Sequence, residues 1–234
     1  MKQISVIMPA LNEEKAVKKA VESVIAAFDK FSIDGEIVVV NDGSSDETQN
    51  IVEHLTKDHP EKVILFSHTK PMGIGRSFLD GVIVADGMGV LMVPGDNEND
   101  PEQILKYAHL LEKTDVVCPY VTNKEVRSNS RNIISTLFTK LINMTFRTKF
   151  KYTNGTVIYK REIFDKIHSS SSGFFFQADL LVKIEKSGYK IMQIPCLLST
   201  REGGASKALT FSSLMNVVKD YFKLIGYVYF RIGR

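Results

Sequence analysis

The sequence predicts a doubly wound α/β fold: a mostly parallel sheet with flanking helices and an amphipathic helix at the C-terminal end. Three observations carry this. Short runs rich in Val and Ile recur through the first half. Helical patterns fill the gaps between them. Acid-bearing turns follow several of the runs. Uninterrupted apolar runs mark strands buried on both faces, the habit of parallel sheets. Their alternation with helices leads to a doubly wound sheet.

The elements follow in order. Strands are expected at 4–9, 36–42, 63–68, 90–94 and 115–120. Helices are expected at about 13–29, 45–58, 75–86 and 101–112. Ser44 and Glu47 have the spacing of a capping box for the second helix. Asp100 before Pro101 reads as an N-cap followed by proline at the first helical position. In the second half, 129–146 has helical spacing and 155–162 reads as a strand entering a helix. A helix over 174–187 is stopped by Gly188, and a strand follows at 190–195. Residues 201–207 form a basic-flanked loop and 209–230 a last helix. The expected division is one domain over 1–208 and a helical tail over 209–234.

A chain of 234 residues with 44% hydrophobic composition builds its core without staples. Cys118 and Cys196 each lie in an apolar run and read as buried, reduced thiols. With no CxxC pair and no His/Cys cluster, a zinc site is not expected. The N-terminus reads as a strand and not as a signal peptide. No stretch reaches the roughly 18 uncharged apolar residues of a spanning helix, so a cytoplasmic location is expected. A net charge of +3 is too mild to suggest nucleic acid. From Lys124 to Lys151, however, seven Lys/Arg face one acid, Glu125, and such a segment attracts phosphates or an anionic membrane surface.

Ligands of doubly wound sheets bind beyond the carboxyl ends of the strands. Here those ends are Pro9 to Glu14, Asn41 to Asp46 and Pro94 to Asp100. Asp42 sits where a strand ends, so its carboxylate can accept from a base N–H or a ribose hydroxyl, although Asp-Gly-Ser is also ordinary turn chemistry. PMGIGRSF (71–78) is not a dinucleotide fingerprint, because Phe78 holds the third glycine position and the loop follows the third strand. Gly73 and Gly75 let backbone approach a phosphate or fit a tight helix entry, with Arg76 as a phosphate partner. In VPGDNENDPE (93–102), Asp96 and Glu98 are two apart and suit a divalent ion, which needs only one or two carboxylates beside substrate phosphates. Asp100 and Glu102 are assigned to starting the next helix.

SVIMPALNEE, VVVNDGSSDET, the acid turn before DPE, GFFFQADLL and REGGASK occur in the order seen in family 2 glycosyltransferases of the GT-A fold. The chain resembles that family over about residues 3–207, and within it the dolichol-phosphate mannose synthases and bacterial polyprenyl-phosphate sugar transferases. The resemblance implies a nucleotide-diphosphate-sugar donor, GDP- or UDP-linked, with Mg²⁺ or Mn²⁺ and an inverting transfer. It implies nucleotide contacts for Pro9, Leu11, Asn12, Glu13, Asp42, Gly73 and Gly75. Metal contact falls to Asp96 and Glu98, and phosphate contact to Arg131, Arg201, Ser206 and Lys207. Asp179 matches an acid on the helix after the GF motif and is the candidate base if the acceptor is a sugar hydroxyl. Two positions depart from the family: Pro94 stands for the first acid of its Asp-x-Asp motif, and Lys151 for an acid a few residues before Gly155.

The tail LMNVVKDYFKLIGYVYFRIGR (214–234) has a narrow polar stripe on an otherwise apolar helix. That face is expected to pack on its own domain, on a second subunit as a homodimer, or in a membrane interface on the inner leaflet. Three functions follow: sugar transfer to a polyprenyl-phosphate lipid, transfer to a sugar hydroxyl of a glycan or glycolipid, and non-catalytic nucleotide-sugar binding.

Overall fold

The computed structural model describes residues 1–126, 128–197 and 211–230. Seven strands form one sheet: β1 (Ile4–Ala10), β2 (Gly35–Asn41), β3 (Val63–Ser67), β4 (Gly89–Met92), β5 (Val116–Val121), β6 (Ile158–Lys160) and β7 (Ile191–Cys196). Their spatial order is β3-β2-β1-β4-β6-β5-β7. Neighbours are parallel except around β6, which runs antiparallel to both β4 and β5. The helices are α1 (Val17–Phe31), α2 (Thr48–Asp58), α3 (Ile74–Val84), α4 (Glu102–Leu105), α5 (Asn129–Phe146), α6 (Phe176–Lys186) and α7 (Phe211–Phe230).

Every residue of β1 and β2 is buried, as uninterrupted Val/Ile runs require. Alternate side chains enter two separate cores. Val6, Met8, Ile37 and Val39 pack with Val17, Val21 and Val24 of α1 and Val52 of α2. Ile7, Val38 and Val40 point the other way, into a core with Phe78 of α3, Phe146 of α5, Leu180 of α6 and Leu224 of α7. The C-terminal helix thus contributes to the same core as the sheet.

Three expectations are corrected. The capping box of α2 does not form: the helix begins at Thr48, and Asp46 Oδ1 accepts from the Thr48 N–H at 3.0 Å. Ser44 instead faces the loop after β1, for the reason given below. The helix expected over 101–112 is divided into α4 and a separate 3-10 turn at Ala108–Glu112. Tertiary contacts set that break, since Leu111 lies against the bare backbone of Gly89 and the Tyr107 hydroxyl donates to Pro195 O. Cys196 is half-buried, while Cys118 is buried and its thiol is pushed up to about 12 by burial. Asp100 does start α4, accepting from the Glu102 N–H at 2.9 Å. Gly188 ends α6 in the left-handed region with φ 84°.

Candidate functional site

Strand order reverses beside β1, between β2 and β4, and the loops above these three strands frame the candidate site. The loop after β1 and the loop after β2 are laced together. Asn12, at φ 57°, donates its N–H to Ser44 Oγ at 3.0 Å and accepts from the Ser45 N–H at 2.8 Å. The Glu13 N–H reaches Thr48 Oγ1 at 2.8 Å, and the Glu14 N–H reaches Asp46 Oδ2 at 3.1 Å. In return the Glu47 N–H donates to a Glu14 carboxylate oxygen. Ser44 therefore serves this crossing and not its own helix. Burial pushes the Asp46 carboxyl up, but hydrogen bonds from Thr48 and Glu14 outweigh it and hold it below the usual range. Pro9 lies within β1 and Leu11 beside Asn12, so the whole stretch Pro9–Glu13 borders this crossing.

Asp42 is buried at the end of β2. Its Oδ1 accepts from the Met72 N–H at 2.8 Å and its Oδ2 from the Gly73 N–H at 2.9 Å. His68 Nδ1 also lies 2.7 Å from Oδ1. A carboxylate offers about four acceptor positions, so one remains for a ligand. Gly73 and Gly75 are explained by protein packing: a Cβ on Gly73 would fall 2.6 Å from Ser172 O, and one on Gly75 2.7 Å from Ser171 O. Gly73 also has φ 96°, a region that favours glycine. Of the two alternatives for these glycines, the tight helix entry is the one seen, against the segment 171–173. Arg76 Nε donates to Asp80 Oδ2 at 2.6 Å, and that bond raises the guanidinium's pKa.

Asp96 sits in the turn above β4, beside β1. Its Oδ1 accepts from the Glu98 N–H at 3.0 Å, while Oδ2 has no partner among the described residues. Asn97 between them takes φ 55°. No group of three or more His, Cys, Asp or Glu side chains suited to a metal occurs among the described residues. Asp96 and Glu98 therefore do not make an all-protein cage. They do fit the sparser set that Mg²⁺ or Mn²⁺ takes when a diphosphate completes the shell.

Asp179 lies in the first turn of α6, and its side chain is only 2% exposed. Lys183, one turn on and equally buried, donates to Asp179 Oδ2 at 2.9 Å and to His168 O at 2.9 Å. The Ser170 N–H also donates to Asp179 Oδ2. The Lys183 ammonium lies 4.7 Å from the Tyr227 ring centroid of α7. This carboxylate is tied to a cation and to the 168–172 segment, so the geometry gives it a holding role rather than that of an open base. The i,i+4 spacing of Asp179 and Lys183 could have shown the pair in the sequence. Arg131, in the first turn of α5, has no partner among the described residues. Arg201, Ser206 and Lys207 lie outside the described residues.

A polar cleft of about 210 Å³ opens beside α5, between it and residues 150–152. Asn132, Ser135, Thr136, Thr139, Lys140 and Lys151 line it. The opposite side of α5 is apolar yet faces out: Ile133, Ile134, Leu137, Leu141 and Met144 are 43–76% exposed. α7 adjoins it, with Tyr221 and Tyr229 hydrogen-bonded to Thr145, and exposes Leu214, Met215, Val218, Phe222 and Phe230. Sequence reading found the apolar face of α7 but missed that of α5. No described helix is long and apolar enough to cross a membrane.

A doubly wound α/β sheet with laced acidic loops at its strand reversal has the setting in which such sheets bind their ligands. The Glycosyl transferase family 2 model matches residues 5–168, and the chain belongs to that family. It is 26% identical to the undecaprenyl-phosphate 4-deoxy-4-formamido-L-arabinose transferase of Pectobacterium atrosepticum, over 94% of this chain and 66% of that one. The Proteus mirabilis enzyme of the same name is also 26% identical, over 93% and 66%. The chain thus spans about two thirds of the length of these curated relatives. Among solved structures it is similar to glucosyl-3-phosphoglycerate synthase from Mycobacterium tuberculosis with UDP, at TM-score 0.69 and 17% identity, covering 96% of this chain and 80% of that one. The same enzyme with Mg²⁺ and UDP gives TM-score 0.70 at 16% identity, with the same coverage. These likenesses establish the GT-A fold expected from the motifs.

Proposed function

We propose that this glycosyltransferase moves a sugar from a nucleotide-diphosphate donor to a polyprenyl-phosphate lipid at an anionic membrane surface. The observation that carries the lipid acceptor is the outward apolar surface shared by α5 and α7. The two helices carry the cations Arg131, Lys140, Lys219 and Lys223, against the single acid Asp220, which pairs with Lys223. Apolar side chains entering the headgroup boundary, with lysines at their edge, are the signature of interfacial helices. This supports a peripheral place on the inner leaflet.

The chemistry of the site supports the same acceptor. A lipid phosphate is already ionised near neutral pH and needs no general base, and the acid best placed for that role, Asp179, is buried against Lys183. The cleft beside α5, with Lys140 and Lys151, suits an anionic headgroup. On the donor side, the loops of Pro9–Glu13 and Asp42 present a rigid edge for the nucleotide, with one acceptor position on Asp42 for a donor N–H or hydroxyl. Asp96 and Glu98 would hold Mg²⁺ or Mn²⁺. When bound, that ion would offset the charge of the leaving diphosphate. Arg131, without a partner among the described residues, adds positive charge to the same task, joined by Arg201 and Lys207.

A thermal-shift panel tests the donor half of this reading. Full-length protein is scanned with UDP, GDP and their sugars, each with Mg²⁺ or Mn²⁺. A metal-dependent stabilisation by one nucleotide class is expected. No shift across the panel would contradict the proposal.

A further inference from the structure

His68 has no role in the sequence motifs, yet it stands at the junction of the donor-side loops. It follows β3 directly, and its N–H donates to Asn41 O at 2.9 Å, extending the pairing with β2. Its ring lies edge-on to Phe66 with centroids 5.5 Å apart. Nδ1 is 2.7 Å from Asp42 Oδ1 and Nε2 is 3.1 Å from Asp80 Oδ2. The three side chains are 9%, 6% and 11% exposed. Asp80 comes from α3 and also receives Arg76 Nε. Asp42 comes from β2 and receives the Met72 and Gly73 amides.

An ionised carboxylate only accepts hydrogen bonds. A ring placed between two of them can donate to either through an N–H, so His68 bridges Asp42 and Asp80. The ring clamps the segment 68–76 at both ends: through Asp42 it fixes the entry at Met72 and Gly73, and through Asp80 it fixes the first turns of α3. Without the ring, Asp42 would keep the Met72 and Gly73 amides and Asp80 would keep Arg76, but the tie between the two carboxylates would be lost.

We infer that His68 is a positioning residue for the nucleotide donor. It holds the Asp42 carboxylate and the Met72–Gly73 backbone in the shape the donor meets. It touches no donor itself, and the inference rests on the donor reading proposed above.

Three variants of the full-length protein test it: His68→Phe, His68→Gln and Asp80→Asn. Amide hydrogen exchange at Met72 and Gly73 is followed by NMR, and the affinity for UDP or GDP with Mg²⁺ by calorimetry. In His68→Phe, exchange at these two amides accelerates at least tenfold while α1 and α6 are unchanged. Nucleotide affinity falls about tenfold, and donor hydrolysis shows the change in KM with kcat within twofold. His68→Gln, which can still donate to Asp42, recovers part of both losses. Asp80→Asn shows a smaller change in the same direction. If His68→Phe does not fold, the other two variants decide the matter on the same readouts. Unchanged exchange and affinity in the folded variants would overturn the inference. So would a fall in kcat with affinity intact. A wild type that binds neither UDP nor GDP would overturn the donor reading and this inference with it. A wild type that binds one, beside variants that bind it equally well, would overturn this inference alone.

Discussion

The loops above β1 and β2 and the helices α5 and α7 meet their surroundings in opposite ways. In the loops, Asn12, Glu13 and Glu14 bind Ser44, Ser45, Thr48 and Asp46 across gaps of more than thirty residues in the chain. Their shape is set before any ligand arrives. On α5 and α7, large apolar side chains face outward although each helix also contributes to the core. Exposed apolar side chains grouped on a helix face in this way point to an interaction site. The difference separates two tasks within one domain. In the proposed reading, the loops above β1, β2 and β4 hold a small, charged ligand in a fixed geometry. In the same reading, the outward faces of α5 and α7 meet an extended apolar partner.

The comparison yields tests in descending order of effect. Asp96→Ala removes a carboxylate proposed to hold the metal at the β4 turn, and transfer is expected to fall at least about a hundredfold with folding intact. Initial rates beside circular dichroism spectra check this. Lys183→Met leaves Asp179 buried without its cation, and stability should drop by about 3–5 kcal/mol in denaturant melts. Paired changes on the apolar face, Leu137→Asp with Phe222→Asp, should lower partition onto anionic liposomes about tenfold while nucleotide affinity stays the same. Equal loss of both would erase the separation of tasks. Gly188→Ala, at φ 84° outside both regions, should cost about 1 kcal/mol and change neither activity nor binding.

A pH prediction belongs to the same series. The hydrogen bond from Lys160 holds the Asp115 carboxyl below the usual carboxylate range. A carboxyl depressed in the folded state stabilises it above the unfolded pKa and loses that contribution as pH falls through the folded value. Asp115→Asn should therefore reduce stability at neutral pH and leave it nearly unchanged in strong acid. Melts from pH 7 downward check the sign.

Much of the sheet was legible because its strands are buried on both sides, which leaves Val/Ile runs in the sequence with turns between them. The motif residues at the ends of β1, β2 and β4 were legible for the same reason. What escaped depends on contacts between distant segments. Ser44 has the spacing of a capping box but bonds to Asn12, 32 residues away. Gly73 and Gly75 answer to Ser171 and Ser172, nearly a hundred residues on. His68 is a lone histidine in the sequence and becomes a bridge only when β2 and α3 bring carboxylates to both its nitrogens. The outer face of α5 was hidden by its inner one. Apolar residues on both sides of a helix blur the periodicity that shows which side is buried.

The central claim is a division between a rigid donor edge and a lipid-facing surface, joined by transfer to a phosphate. Mass spectrometry of lipids extracted after incubation with a panel of nucleotide sugars tests it most directly. The protein is supplied with undecaprenyl phosphate in anionic liposomes, Mg²⁺ or Mn²⁺, and glycan acceptors as competitors. The account predicts one glycosyl phospholipid, cleaved by mild acid and formed faster on anionic than on neutral liposomes. Sugar found only on the glycan hydroxyls, or on no acceptor with any donor, would contradict it.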